Sequence, residues 1–140
     1  MDYTVSLSES EAIELATRGQ CENKSWYDFR AGRITASKFK AACSTDTAKP
    51  SKSLLRAICY PEANKLKSAA LEWGIAQEKY ALRKYMEDVS ARHEQFLVEQ
   101  CGLIINPEFP WMGASPDSMV SCKCCGLGTV EIKCPTQYEK

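Results

Sequence analysis

Thr129-Val130-Glu131-Ile132-Lys133-Cys134-Pro135 is the stretch on which the reading of this chain turns. On an extended backbone, successive side chains point to opposite faces. Val130, Ile132 and Cys134 then share one face, and Glu131 and Lys133 share the other. An acid and a lysine flanked by apolar residues are costly to bury unless they are paired or functional. Upstream, Ser115-Pro116-Asp117 makes a proline-led turn, and Met119–Ser121 reads as a strand. CKCCGLG (122–128) is then the turn of a hairpin that brings Asp117 toward Glu131. Two carboxylates a few ångströms apart repel, and a hard divalent cation with oxygen ligands relieves that repulsion. Magnesium suits the task best, because it keeps waters that can attack a phosphodiester, and manganese can substitute. Lys133 would position or polarise the attacking water, or stabilise negative charge in the transition state. The plain alternative is a hairpin with a surface Glu–Lys pair and a capping Asp.

Outward from the hairpin, helical signals dominate. Ser8 with Glu11 forms a capping-box signature for a short helix carrying Ala12, Ile13, Leu15 and Ala16, ended by Gly19. Ser25 can cap a helix through Arg30, Gly32 breaks it, and Thr35 or Ser37 can cap another to Ala42. STDTAKPSKS (44–53) is a polar loop, and 53–60 a short helix stopped by Pro61. The strongest helix runs from about Ser68 to Val89, with Leu71, Ile75, Leu82, Met86 and Val89 at helical spacing and Glu78 one turn from Trp73-Gly74. QFLVEQCGLII (95–105) reads as a strand, a turn at Gly102 and a second strand. PEFPWMGASPD (107–117) reads as short extended pieces and turns.

Composition narrows the class. The chain has 140 residues, 44% hydrophobic and 26% charged, with zero formal net charge. That suits an ordinary globular chain with a core of its own, and excludes a disordered tail, a collagen-like chain and a coiled-coil rod. No apolar run is long enough to span a membrane, and MDYTVSLSESEAIELATRG has no secretory pattern. An intracellular location, cytoplasmic or nuclear, is therefore expected, with reduced thiols. The zero net charge hides a polarity. Residues 24–67 hold ten bases against three acids, a net +7, interleaved with Trp26, Tyr27, Phe29 and Phe39. Such a strip is either a solvated basic face or a phosphate-contacting surface. Of the eight cysteines, Cys122, Cys124, Cys125 and Cys134 cluster in sequence. Their C-x-C-C spacing with a fourth cysteine nine positions on is poor for structural zinc, so zinc is disfavoured and free or buried thiols are expected. His93, the lone histidine, reads as a surface residue.

Four blocks resemble one known family. They are WYDFRAGRITAS (26–37), ALEWGIAQE (70–78), GASPD (113–117) and VEIKCP (130–135). Pro116-Asp117 with Glu131-Ile132-Lys133 resembles the PD-(D/E)XK nuclease signature. The four blocks in this order resemble the YqaJ viral recombinase and bacteriophage lambda exonuclease family, over roughly residues 25–136. The chain departs from the family pattern at Ser118, where glycine is usual.

The resemblance implies an α+β chain with a restriction-endonuclease-like core, a small mixed sheet flanked by helices. It implies an N-terminal helical extension over 1–24 and a partial nuclease domain over 25–140. The family continues past Lys140 with a further helix and strands, and Gln137 and Tyr138 come too early to be its glutamine–tyrosine motif. By the same resemblance Asp117 and Glu131 ligate the metal with the Ile132 carbonyl, Lys133 is the catalytic lysine, and Glu78 completes the acidic site. Arg30 and Ser37 match a phosphate-binding pocket for a DNA end, chemistry that an arginine fork and a hydroxyl near a helix N-terminus can supply. Trp26 and Trp73 read as packing residues. The implied function is a magnesium-dependent exonuclease acting on linear double-stranded DNA in recombination or viral replication. The implied partners are DNA ends, further copies of the chain in a ring trimer, and a single-strand annealing protein. The alternative is a catalytically inactive nucleic-acid-binding module on the same fold.

Overall fold

The computed structural model describes residues 4–64 and 69–135; the expected helix start at Ser68, and Gln137 and Tyr138, lie outside them. The fold is α+β, as expected. Among the described residues, helices α1 (Leu7–Ala16), α2 (Lys24–Arg30), α3 (Ala36–Ser44), α4 (Lys52–Cys59) and α5 (Ala69–Ser90) combine with six strands. These are β1 (Ile34–Thr35), β2 (Leu97–Gln100), β3 (Ile104–Asn106), β4 (Phe109–Ala114), β5 (Ser118–Cys122) and β6 (Gly126–Val130). Among the described residues, no helix is long and apolar enough to cross a membrane.

The chain forms two compact units: Met1–Lys65 with Cys101–Ser115, and Leu66–Gln100 with Pro116–Lys140. The strands divide accordingly into two three-stranded sheets rather than one. The first unit holds the mixed sheet β1-β4-β3, with β1 parallel and β3 antiparallel to β4. Leu103, Ile105 and Cys101 are fully buried at its centre. PEFPWMGASPD is thus more regular than expected, because β4 is flanked on both sides by partners that fix its backbone.

Helix α1 packs on β3 in an unusual way. Ser10, Glu14 and Thr17, spaced along one helical face, turn toward the strand. The Ser10 hydroxyl donates to the Ile105 carbonyl (2.6 Å) and accepts the Ile105 N–H (3.3 Å). Thr17 Oγ1 accepts the Leu103 N–H (2.7 Å), and Glu14 accepts the Gly102 N–H (2.9 Å). These side chains satisfy strand backbone groups that would otherwise be buried unpaired. The apolar Leu7 and Leu15 are left exposed. The capping box lies two residues earlier than expected, on Ser6 and Glu9. The cap of α2 is Asn23 rather than Ser25.

The second unit holds α5 and the antiparallel sheet β2-β5-β6. In the β5–β6 hairpin, Ser118 pairs with Val130 and Cys122 with Gly126. The turn over 123–125 closes on Gly126, whose backbone is left-handed (φ +83°), a conformation glycine adopts without strain.

Candidate functional site

The expected strand over 129–135 ends at Val130. Among the described residues, the Ser118–Val130 rung is the last of the hairpin. Beyond it the Asp117 carboxylate accepts the Ile132 N–H at 2.5 Å, taking the place of the next rung. Asp117 therefore pins the segment that carries Glu131 and Lys133. Those two do meet, but through a direct ion pair between Lys133 Nζ and Glu131 Oε1, not through strand alternation. Both side chains are well exposed.

Glu78 reaches the same place from α5. One helical turn before it, Gly74 comes so close to the segment that a Cβ there would lie 3.7 Å from the Cys134 carbonyl oxygen. Glu78 is half-buried. Burial, then the charge of Asp117 and the smaller charge effect of Glu131, push its carboxyl above the usual range, opposed by Lys133. The Glu131 hydrogen bond, with the charges of Glu131, Asp117 and Glu78, holds the Lys133 ammonium above the ordinary lysine value. The structure thus brings together Glu78, Asp117, Glu131 and Lys133, with Ile132 between them. The donor set is all oxygen, and its self-repulsion is legible in Glu78. Both suit a hard divalent cation. Glu78, Asp117 and Glu131 are the side chains that would hold it, although among the described residues their carboxylates are not gathered into a ready-made ion site as His93 and the hairpin-tip cysteines are.

Arg30 and Ser37 also occupy one locality, in the first unit. Arg30 lies flat over Trp26, its guanidinium carbon 3.7 Å from the ring centroid. Its Nη2 is 3.4 Å from Thr35 Oγ1, which is 3.3 Å from Ser37 Oγ. The Arg30 Nε is buried without a hydrogen-bond partner, and burial lowers the pKa of the side chain. Thr35 is the N-cap of α3 but makes no side-chain cap bond. An orphan donor, two hydroxyls and free helix N–H groups make an anion-receptive corner. The sequence offers Thr35 as a helix cap, which it is, but not as a neighbour of Arg30; the signal for that was its place two residues before Ser37 at a helix start. Trp26 packs as expected, and its Nε1 also donates to Ser115 Oγ (2.9 Å). Arg33, also in the basic stretch, donates to the carbonyls of Pro110 and Phe29 and so serves the scaffold.

The cysteine cluster differs from expectation in two members. Cys134 stands apart from Cys122, Cys124 and Cys125. His93, expected at the surface, is half-buried and joins them.

The sequence profile of the YqaJ-like viral recombinase domain matches residues 25–140. The chain belongs to that family. Among its relatives is the alkaline nuclease of Orgyia pseudotsugata multicapsid polyhedrosis virus, 29% identical over 145 residues, covering 96% of this chain and 29% of that protein. Among solved structures, an alkaline exonuclease (LHK-Exo) from Laribacter hongkongensis superposes with a TM-score of 0.62 at 26% identity. The match covers 84% of this chain and 56% of that one. The same exonuclease in complex with dAMP gives a TM-score of 0.63. This YqaJ-family chain therefore spans about half the length of that exonuclease and under a third of the viral nuclease.

Proposed function

We propose that this YqaJ-family chain provides the metal and lysine site of a magnesium-dependent deoxyribonuclease that hydrolyses linear double-stranded DNA from an end. The observation that carries the reading is the Asp117–Ile132 hydrogen bond, which holds the Glu131–Lys133 ion pair at one end of the β5–β6 hairpin, where their charges also act on Glu78. The names of its relatives, a nuclease and an exonuclease, point the same way.

In this reading Asp117, Glu131 and the Ile132 carbonyl would hold the cation, and Glu78 would complete the acidic set. A bound magnesium supplies an activated water and neutralises charge on the phosphate. Asp117 keeps the Glu131–Lys133 segment in register through the Ile132 N–H. Lys133 stays protonated and donates toward the attacking water or the developing phosphorane charge. Arg30, Thr35 and Ser37 would bind a phosphate of the DNA end, with Trp26 holding the guanidinium flat.

The test is cleavage of end-labelled linear duplex, with a circular duplex beside it, in magnesium and in EDTA. Loss of linear DNA only, dependent on magnesium and abolished in Lys133→Ala and Glu131→Ala, is the expected result. Binding without cleavage at high protein concentration would instead favour a nucleic-acid-binding module on the same fold.

A further inference from the structure

At the opposite end of the same hairpin, four side chains converge that the proposed function does not use. His93 Nδ1 lies 3.2 Å from Cys124 Sγ, 3.3 Å from Cys122 Sγ and 3.6 Å from Cys125 Sγ. The Cys122 and Cys124 sulfurs are 3.4 Å apart, and those of Cys124 and Cys125 are 3.8 Å apart. All four ligand atoms fall within 4.8 Å of one another, and the cysteines are free. A tetrahedral zinc with bonds of about 2.3 Å to sulfur and about 2.05 Å to nitrogen has S···S edges of about 3.8 Å and N···S edges of about 3.5 Å. Each observed edge lies within about 0.4 Å of its ideal counterpart. Five of the six edges are thus those of a coordination tetrahedron, and the sixth, Cys122 Sγ to Cys125 Sγ, is no longer than 4.8 Å.

We propose that His93, Cys122, Cys124 and Cys125 form a structural zinc site of three thiolates and one imidazole. Soft sulfur and imidazole ligands select zinc over magnesium, so this site and the carboxylate set do not compete for one ion. Four protein ligands also close the coordination sphere, which marks a structural rather than a catalytic centre. The surroundings suit thiolates. The Cys125 N–H points at Cys122 Sγ (3.3 Å). Outer-shell donors of this kind orient and stabilise metal-bound sulfur.

The site has a definite mechanical role. His93 follows the end of α5, and the three cysteines form the hairpin tip. The Lys123 N–H already donates to the Glu94 carbonyl (2.9 Å), and Lys123 Nζ pairs with Glu94 Oε1 (2.8 Å). Zinc would rivet the chain after α5, the helix that bears Glu78, to the hairpin that bears Asp117. Cys122 and Cys125 stand in C-x-x-C spacing, a pair hidden within C-K-C-C by the intervening Cys124.

The test uses the 140-residue chain, purified under reducing conditions without chelator. Elemental analysis is expected to find one zinc per chain. Cobalt replacement should give the intense visible bands of a tetrahedral site with thiolate-to-cobalt charge transfer. In cobalt titrations His93→Ala, Cys124→Ser and Cys125→Ser should each weaken binding by more than about tenfold, the low end of what loss of even an outer-shell partner costs. Cys134→Ser and Cys59→Ser should leave it unchanged. Because His93→Ala could perturb folding, His93→Cys serves as the second variant. A fourth thiolate should restore tight binding and strengthen the charge-transfer band. Zinc well below one per chain, a pale octahedral cobalt spectrum, or unchanged affinity in the cysteine variants would each overturn the site. So would a disulfide among Cys122, Cys124 and Cys125 in the reduced preparation. None of these readouts depends on nuclease activity.

Discussion

Lys133 and Glu131 form an exposed ion pair, a contact that contributes at most about 1 kcal/mol to stability. Its role is therefore to be sought in chemistry rather than stability, and Lys133→Ala separates the two. Cleavage should fall about 10²–10³-fold, the range for loss of one transition-state donor, while the thermal midpoint stays where it was. A large drop in the midpoint would assign Lys133 to the scaffold instead. Arg30 makes the converse case. It is mostly buried against Trp26 with an unpaired Nε, and a lysine cannot reproduce its planar fork. Arg30→Lys should erase any preference for phosphate-terminated over hydroxyl-terminated duplex, measured as the ratio of kcat/KM for the two ends. Much of this site was legible, because Asp117, Glu131 and Lys133 announce themselves over short spans. The Glu–Lys contact does not arise from strand alternation, because β6 ends at Val130. His93 was illegible for a different reason: its partners lie about thirty positions away, and nothing local ties a lone histidine to a later hairpin.

At the scale of elements, the α1–β3 joint shows what periodicity misses. A search for apolar stripes selects Ala12, Ile13, Leu15 and Ala16, yet the buried contacts are made by Ser10, Glu14 and Thr17. The strand edge demands hydrogen bonds, and this demand outranks hydrophobicity along that helix. Thr17→Val would leave the buried Leu103 N–H without its acceptor, a loss of about 1–3 kcal/mol, readable as a lower urea midpoint. Gly102→Ala is more severe in geometry, because its Cβ would fall 1.9 Å from the Glu14 carbonyl oxygen. Glu14 also makes the joint acid-sensitive. Burial alone would raise its carboxyl, but the Arg18 guanidinium and the Gly102 N–H outweigh it and hold the group below the usual range. A depressed folded value means stability that is present above the unfolded pKa of about 4.3 and lost as pH falls through the folded one. Unfolding midpoints followed from neutral pH into acid should fall less steeply in Glu14→Gln than in the parent chain. The C-terminal end of helix α5, by contrast, was read from its sequence to within a residue, since the helix is long enough for its period to repeat several times.

At the scale of the whole molecule, zero net charge is the sum of unlike parts. The stretch 24–67 carries net +7, and the carboxylates of the candidate metal site lie elsewhere in the sequence. If the basic stretch meets DNA phosphates, log Kd should vary linearly with log salt, and each contacting lysine removed should lower the slope by about 0.9. Lys40→Gln, on the exposed face of α3, is the first substitution to measure by filter binding across a salt series. An unchanged slope would return that charge to a solvated face. The α+β class was legible at this scale; the division into two sheets was not. Sheet membership depends on which strands meet, and β1 is only two residues long.

The joint between Ser10 and Ile105 closes across 95 positions of chain. At translation rates of about 5–20 residues per second, α1 leaves the ribosome roughly 5–20 s before the strand it caps exists. Throughout that interval its serine, glutamate and threonine have water as partner, and its leucines wait for little cover, since both stay largely exposed even in the finished fold. A polar docking face is thus a helix that can wait: it offers nascent-chain aggregation little to seize upon, and the register of the first unit is settled only when synthesis reaches its last strand.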